Sequence, residues 1–158
     1  MDRATAPPPP GGQPPPGGPA PTSLLMWLGY RAAEDRIVAA LEGAGFGDIT
    51  RAQVRLLAGI DDDEGTRLVV LAERARIAKQ TATALVDRLA AAGYVRRAQD
   101  PDDGRARLVQ LTSRGREIVP VARAEEQRIE AEWQDRLGVA RMRHLRAALE
   151  ELRGLVDP

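Results

Sequence analysis

A chain of 158 residues has room for one domain plus a dimerisation arm. Its 23 basic and 23 acidic side chains cancel to zero net charge, so bulk charge does not announce a nucleic acid. Without cysteine there are no disulfides, zinc knuckles or thiol switches; with no signal peptide and no apolar run of membrane-spanning length, a soluble cytoplasmic protein is expected.

Residues 1–22 hold nine prolines and four glycines and show no apolar periodicity, which predicts a disordered tail. From Ser23 to about Leu41, the residues Leu24, Leu28, Ala32, Val38 and Leu41 recur at helical spacing, with Trp27 and Tyr30 near the start. Gly43, Gly45 and Gly47 then break this helix, closing a first segment over 23–47. Their spacing is not a phosphate loop, because no strand precedes it and no helix opens on it.

The next segment, 48–111, begins with Thr50 and Gln53, a capping box for a helix over Ala52, Val54, Leu56, Leu57 and Ile60. The run Asp61-Asp62-Asp63-Glu64-Gly65 fails as a calcium loop: its glycine is misplaced and Ala72 stands where a glutamate must close the site. It reads as a polar turn before a helix capped by Thr66 and running from Arg67 to Arg74. A second short helix, Lys79 to Ala92, buries Ala82, Leu85, Val86 and Leu89 and turns Lys79, Gln80, Thr81, Thr83 and Ala84 outward. Two short apolar strands, Tyr94-Val95 and Val109 to Leu111, flank an Asp103-Gly104 turn and predict a hairpin.

Charge is unevenly spread there. Residues 94–116 carry six arginines against three aspartates, whereas 117–135 are rich in glutamate. A small helix with polar tips fits a major groove, and an arginine-bearing hairpin beside it reaches phosphates or the minor groove. The segment 112–158 is helical again: Thr112 caps a long helix to about Leu137, bent at Pro120. A last helix carries Val139, Met142, Leu145, Leu149, Leu152 and Val156. The terminal helices offer more apolar surface than one small domain covers, so Leu24, Leu28, Leu145, Leu149 and Leu152 are expected at an interface with a second copy.

Catalysis has little to work with. One histidine, His144, and two serines, Ser23 and Ser113, form no nucleophile–base set, and the same scarcity argues against a metal or other cofactor.

The stretch LAERARIAKQTATALVDRL, then AAGYVRR, then DPDDGRARLVQLTSRG resembles the MarR family of bacterial transcriptional regulators. The family's wing has an Asp-x-Arg pair, matched by Asp103 and Arg105, followed by a Leu-Thr opening the long dimerisation helix, matched by Leu111 and Thr112. Looser likeness extends from about Ser23 to Val156. The resemblance implies a mainly α fold with a small β-hairpin wing, a winged helix-turn-helix flanked by N- and C-terminal dimerisation helices. It implies a homodimeric repressor on a double-stranded operator, with Gln80 and Thr81 reading bases, Thr83 supporting them and Lys79 on phosphate. Asp103 holds Arg105 toward the minor groove or backbone, and Arg97 and Arg107 add phosphate contacts. Trp27, Tyr30 and Arg31 are the implied site for a small aromatic effector. Two departures stand out: Arg76 where such turns commonly have glycine, and Ala78 in place of a serine or threonine cap, at a cost of about 1 kcal/mol. A further reading keeps the fold as a helical protein-interaction module without specific DNA binding.

Overall fold

The computed structural model describes residues 18–61, 64–103 and 106–155. Six helices and three strands follow one another along it: α1 (Thr22–Gly43), α2 (Arg51–Leu57), β1 (Thr66–Arg67), α3 (Leu68–Arg74), α4 (Lys79–Ala91), β2 (Val95–Gln99), β3 (Arg107–Leu111), α5 (Ser113–Leu137) and α6 (Val139–Arg153). The expected tail (residues 1–17 of it), Gly104, Arg105 and Val156 lie outside the described residues. No helix among those described is long and apolar enough to cross a membrane.

The apolar stripes meet in one core. Leu56 and Leu57 of α2, Leu71 and Ala72 of α3, and Ala82, Val86 and Leu89 of α4 pack with Val95, Val109 and Leu111 of the sheet. Leu56, Ala82, Val86 and Leu89 are wholly excluded from solvent; trimming Leu89 to alanine at such a site costs about 2–5 kcal/mol. Helices α3 and α4 pack together as the helix-turn-helix and the sheet lies beside them as the wing.

The wing is larger than a hairpin. The antiparallel sheet runs β1-β3-β2, with Thr66 paired to Val109 and Arg67 to Leu108. Thr66 was expected to cap α3; instead it is a strand residue, and Arg67 precedes α3 without a side-chain cap. Its hydroxyl is taken by the turn before it, accepting from the Asp61 amide at 2.9 Å and facing the Asp61 carboxylate at 3.0 Å. Two residues leave no alternation to read, which is why this strand was invisible in the sequence. The Thr50–Gln53 capping box forms, and Thr112 caps α5 by accepting the Gly115 N–H at 3.1 Å. Helix α5 continues through Pro120 from Ser113 to Leu137 as one element.

Helix ends in this fold share a device. At the end of α4 the Tyr94 amide bonds the Leu89 carbonyl and the Gly93 amide bonds Ala90, with Gly93 at φ +78°. At the end of α3 the same pair of bonds joins Ile77 to Ala72 and Arg76 to Glu73, but the left-handed position is filled by Arg76 at φ 51°. This turn sets the angle between the two helices, and it holds a side chain where backbone sterics favour none. Left-handed backbone costs a non-glycine residue roughly 1–2 kcal/mol, and glycine gives back roughly 0.5–1 through its freer unfolded chain. Arg76→Gly is therefore expected to be more stable than Arg76→Ala by about 0.5–1 kcal/mol in urea titration, since both lose the same side chain and differ in the backbone, while Gly93→Ala lowers stability by a similar or larger amount. An Arg76→Gly variant no more stable than Arg76→Ala contradicts this account of the turn.

Ion pairs tie α1 to what lies beneath it. Glu34 is 4% exposed; Arg55 of α2 grips both its carboxylate oxygens, and the Tyr30 hydroxyl donates to it at 3.2 Å. Arg36 reaches α5, at 2.7 Å from Glu125 and 2.5 Å from Glu132. The Arg55 hydrogen bond, opposed by burial, holds the Glu34 carboxyl below its ordinary range. A carboxyl with a depressed folded value contributes its full stabilisation above the unfolded value and loses it as pH falls through the folded one. Melting temperature is thus expected to drop on acidification below about pH 4.5. Glu34→Gln should melt lower than wild type at pH 7, with the gap closing by about pH 3. An unchanged gap across that range would remove ionised Glu34 as the cause.

Candidate nucleic-acid interface

Helix α4 is held from behind by its buried stripe, which leaves its N-terminal half in water. Lys79, Gln80, Thr81 and Ala84 are exposed, and Thr83 is half-buried. Gln80, Ala84, Asp87 and Arg88 follow at four-, three- and one-residue steps, so one outward face carries amide, methyl, carboxylate and guanidinium in turn. Thr83 differs from its neighbours: its hydroxyl donates to the Lys79 carbonyl at 2.8 Å, leaving a methyl and an acceptor lone pair for anything outside. No side chain caps the first turn at Ala78, so its outermost amides stay open.

The wing lies beside this face. Arg96 and Arg97 of β2 and Arg107 of β3 are exposed, with Arg97 opposite Val109 and Arg107 opposite Gln99. Arg97 pairs with Asp87 of α4 at 2.7 Å, linking the wing to the helix that carries the outward polar residues. A guanidinium held in that way is oriented before any phosphate arrives, though it shares its charge with a carboxylate. Arg105 falls outside the described residues, and Asp103 is exposed just before that gap.

One carboxylate of the wing went unremarked in the sequence. Asp100, at the end of β2, is 5% exposed, accepts the Asp102 amide at 2.9 Å and faces Arg67 Nε at 2.6 Å. Its amide partner, then Arg67, hold its carboxyl below the usual carboxylate range. Asp-Pro followed by a turn was a legible signal for the local bond; a partner 33 residues away was not.

The residues expected to bind an effector lie on α1. Trp27 and Tyr30 are about half exposed, Arg31 stacks 5.6 Å from the Trp27 ring, and Arg55 lies 5.8 Å from the Tyr30 ring. Two shallow cavities are lined by other residues. One of about 240 Å³ sits among Ala33, Ile37, Ile129 and Trp133, and one of about 170 Å³ among Trp133, Met142, Leu145 and Leu149. Leu24 and Leu28 of α1 and Leu145, Leu149 and Leu152 of α6 are 38–48% exposed, while Met142, at the start of the same stripe of α6, is buried.

Comparison with known proteins gives the same architecture. Residues 47–106 match the MarR family model. Transcriptional regulator HosA of Escherichia coli O111:H- is 37% identical over 75 residues, 48% of this chain, and the chain spans 56% of that relative's length. Among solved structures, the reduced form of MarR from E. coli is 26% identical with a TM-score of 0.68, over 90% of this chain and 100% of that one. The Mycobacterium tuberculosis MarR family protein Rv2887, solved in complex with salicylic acid, is also 26% identical, with a TM-score of 0.62 over 85% of this chain and 97% of that one. The helix-turn-helix and its three-stranded wing, over residues 47–106, are thus similar to the MarR family, and the likeness in fold to MarR of E. coli extends over 90% of the chain.

Proposed function

We propose that the chain is a homodimeric transcriptional regulator of the MarR type, a repressor that leaves a pseudo-palindromic operator when a small effector binds. What supports this reading is that Gln80 and Thr81 are exposed on α4, whose Asp87 pairs with Arg97 of the wing, and that Arg107 is exposed on the strand next to Arg97. Gln80 bonds an adenine edge through its paired donor and acceptor, Thr81 adds a hydroxyl and Ala84 meets a thymine methyl. Lys79, Arg97 and Arg107 hold phosphates and set the register, and Thr83 contributes packing. Arg105, with Asp103 before it, is assigned to the same wing by family resemblance alone.

Two copies fit the exposed leucines. Leu145, Leu149 and Leu152 share one stripe of α6, and Leu24 and Leu28 one of α1; burying each is worth about 1.5–3 kcal/mol. The relative solved with salicylic acid supports an aromatic acid as effector, for which Arg31 offers a cation and Trp27 and Tyr30 their rings.

Selection of bound fragments from a random duplex pool tests the reading at its root. The expected result is a pseudo-palindrome with half-sites roughly one helical turn apart; a single asymmetric half-site counts against two-fold binding. On the selected site Gln80→Ala should cost on the order of 1–3 kcal/mol and leave random duplex little affected. Arg107→Ala should weaken both alike and lower the salt slope by about one unit. Proportional losses for both variants would refute the division into reader and clamp. In sedimentation the wild type should be dimeric at micromolar concentration and Leu149→Asp should dissociate, since it buries an unpaired charge. A monomeric wild type sinks the dimer.

A further inference from the structure

The wing is attached to the helix pair by little backbone. Strand β1 contributes only Thr66 and Arg67, and immediately becomes α3. Arg67 lies opposite Leu108 of β3, and Leu108 lies opposite Ala98 of β2, so the three side chains form one cross-strand row on one face. Two residues beyond Ala98, on the same face, stands Asp100. The Arg67 side chain therefore crosses the whole width of the sheet, from its outer edge strand to the far strand's end, and bonds the buried Asp100 carboxylate at 2.6 Å. The other oxygen of that carboxylate accepts the Asp102 amide, at the point where the chain turns toward the wing tip. The Asp100 amide in turn bonds the Ala106 carbonyl at 3.3 Å on the returning arm.

We infer that Arg67 is a positioning residue for the wing: through Asp100 it straps both arms of the wing to the N-terminus of α3 and so fixes where Arg97 and Arg107 stand relative to α4. The inference rests on the DNA-binding reading above for its consequence and on the ion pair for its geometry. A wing without the strap still folds, because Val95, Val109 and Leu111 remain in the core, but it must be ordered again each time it meets a duplex. The strap also offsets charge, because the Arg67 guanidinium lies against the Asp100 carboxylate.

Half-exposed Arg67 invites a rival role, a direct phosphate contact. The two roles predict opposite signs for one substitution. Asp100→Asn keeps an oxygen for the Asp102 amide but turns its NH2 toward Arg67, so the pair breaks while the turn survives. If Arg67 acts through Asp100, this variant binds the operator about tenfold more weakly, as does Arg67→Ala, and the two losses do not add when combined. If Arg67 touches phosphate itself, Asp100→Asn frees a cation, removes an anion and tightens binding. That tightening overturns the proposal.

Hydrogen exchange of the full-length protein, free of DNA, reads the strap separately. In Arg67→Ala the amides of Asp100 and Asp102 should exchange about tenfold faster while that of Leu89 is unchanged, with Arg67→Lys between the two. Unchanged exchange at those two amides overturns the strap whatever the DNA result. A wild type that binds no duplex, with exchange altered as expected, refutes the regulator reading and the strap's role on DNA and leaves the strap in place.

Discussion

The fold turns on the backbone of Tyr94. Its amide closes α4 against Leu89, its carbonyl accepts the Thr112 amide at 3.0 Å, and its ring is wholly buried with Phe46 edge-on at 6.3 Å. The Tyr94 carbonyl lies so near α5 that a Cβ placed on Gly115 would stand 2.1 Å from it, so only hydrogen fits there. The phenol hydroxyl donates to Asp48 and accepts from Arg114, whose guanidinium sits 4.4 Å from the ring centre. End of α4, start of the wing and start of α5 are thereby fixed at one residue. The direction of the outward face of α4 follows from where α5 goes.

From that junction outward, ion pairs add to the apolar packing that connects the elements. Arg55 with Glu34 couples α1 to α2, Arg36 with Glu125 and Glu132 couples α1 to α5, and Arg67 with Asp100 couples the entry of α3 to the wing. Burial of one partner makes such a pair directional, because the carboxylate that has lost water needs its donors in place. The exposed apolar stripes of α1 and α6 are left over from this arrangement, which is why a second copy, rather than the domain itself, is the partner proposed for them.

Local chemistry was readable wherever it stayed local. The 3.6-residue stripe of α4, the capping box at Thr50, the cap at Thr112 and the two short apolar strands of the wing each involve residues within a few positions, and each element formed. Arg76 could be read as a departure from glycine; its left-handed φ shows what the departure involves. Thr66 was misassigned because a two-residue strand has no period and because Ser, Thr, Asp and Asn before a helix signal a cap by type alone. Polarity placed Lys79, Gln80 and Thr81 in water, but nothing in their spacing told that the Thr83 hydroxyl would turn back to its own helix or that Arg97 would meet Asp87.

The sequence by itself determined the helix-turn-helix with its wing, the buried faces of the helices and the absence of thiol chemistry, because periodicity, caps and composition act over one or two turns of chain. Tertiary structure alone decided the third strand, the strap from Arg67 to Asp100, the grip of Arg55 on Glu34 and the close passage of Gly115 over Tyr94. These are pairings between residues 21 to 43 positions apart. A side chain's charge announces that it needs a partner, but which partner it meets is set by how the elements pack, and that geometry is not written in any single stretch of the chain.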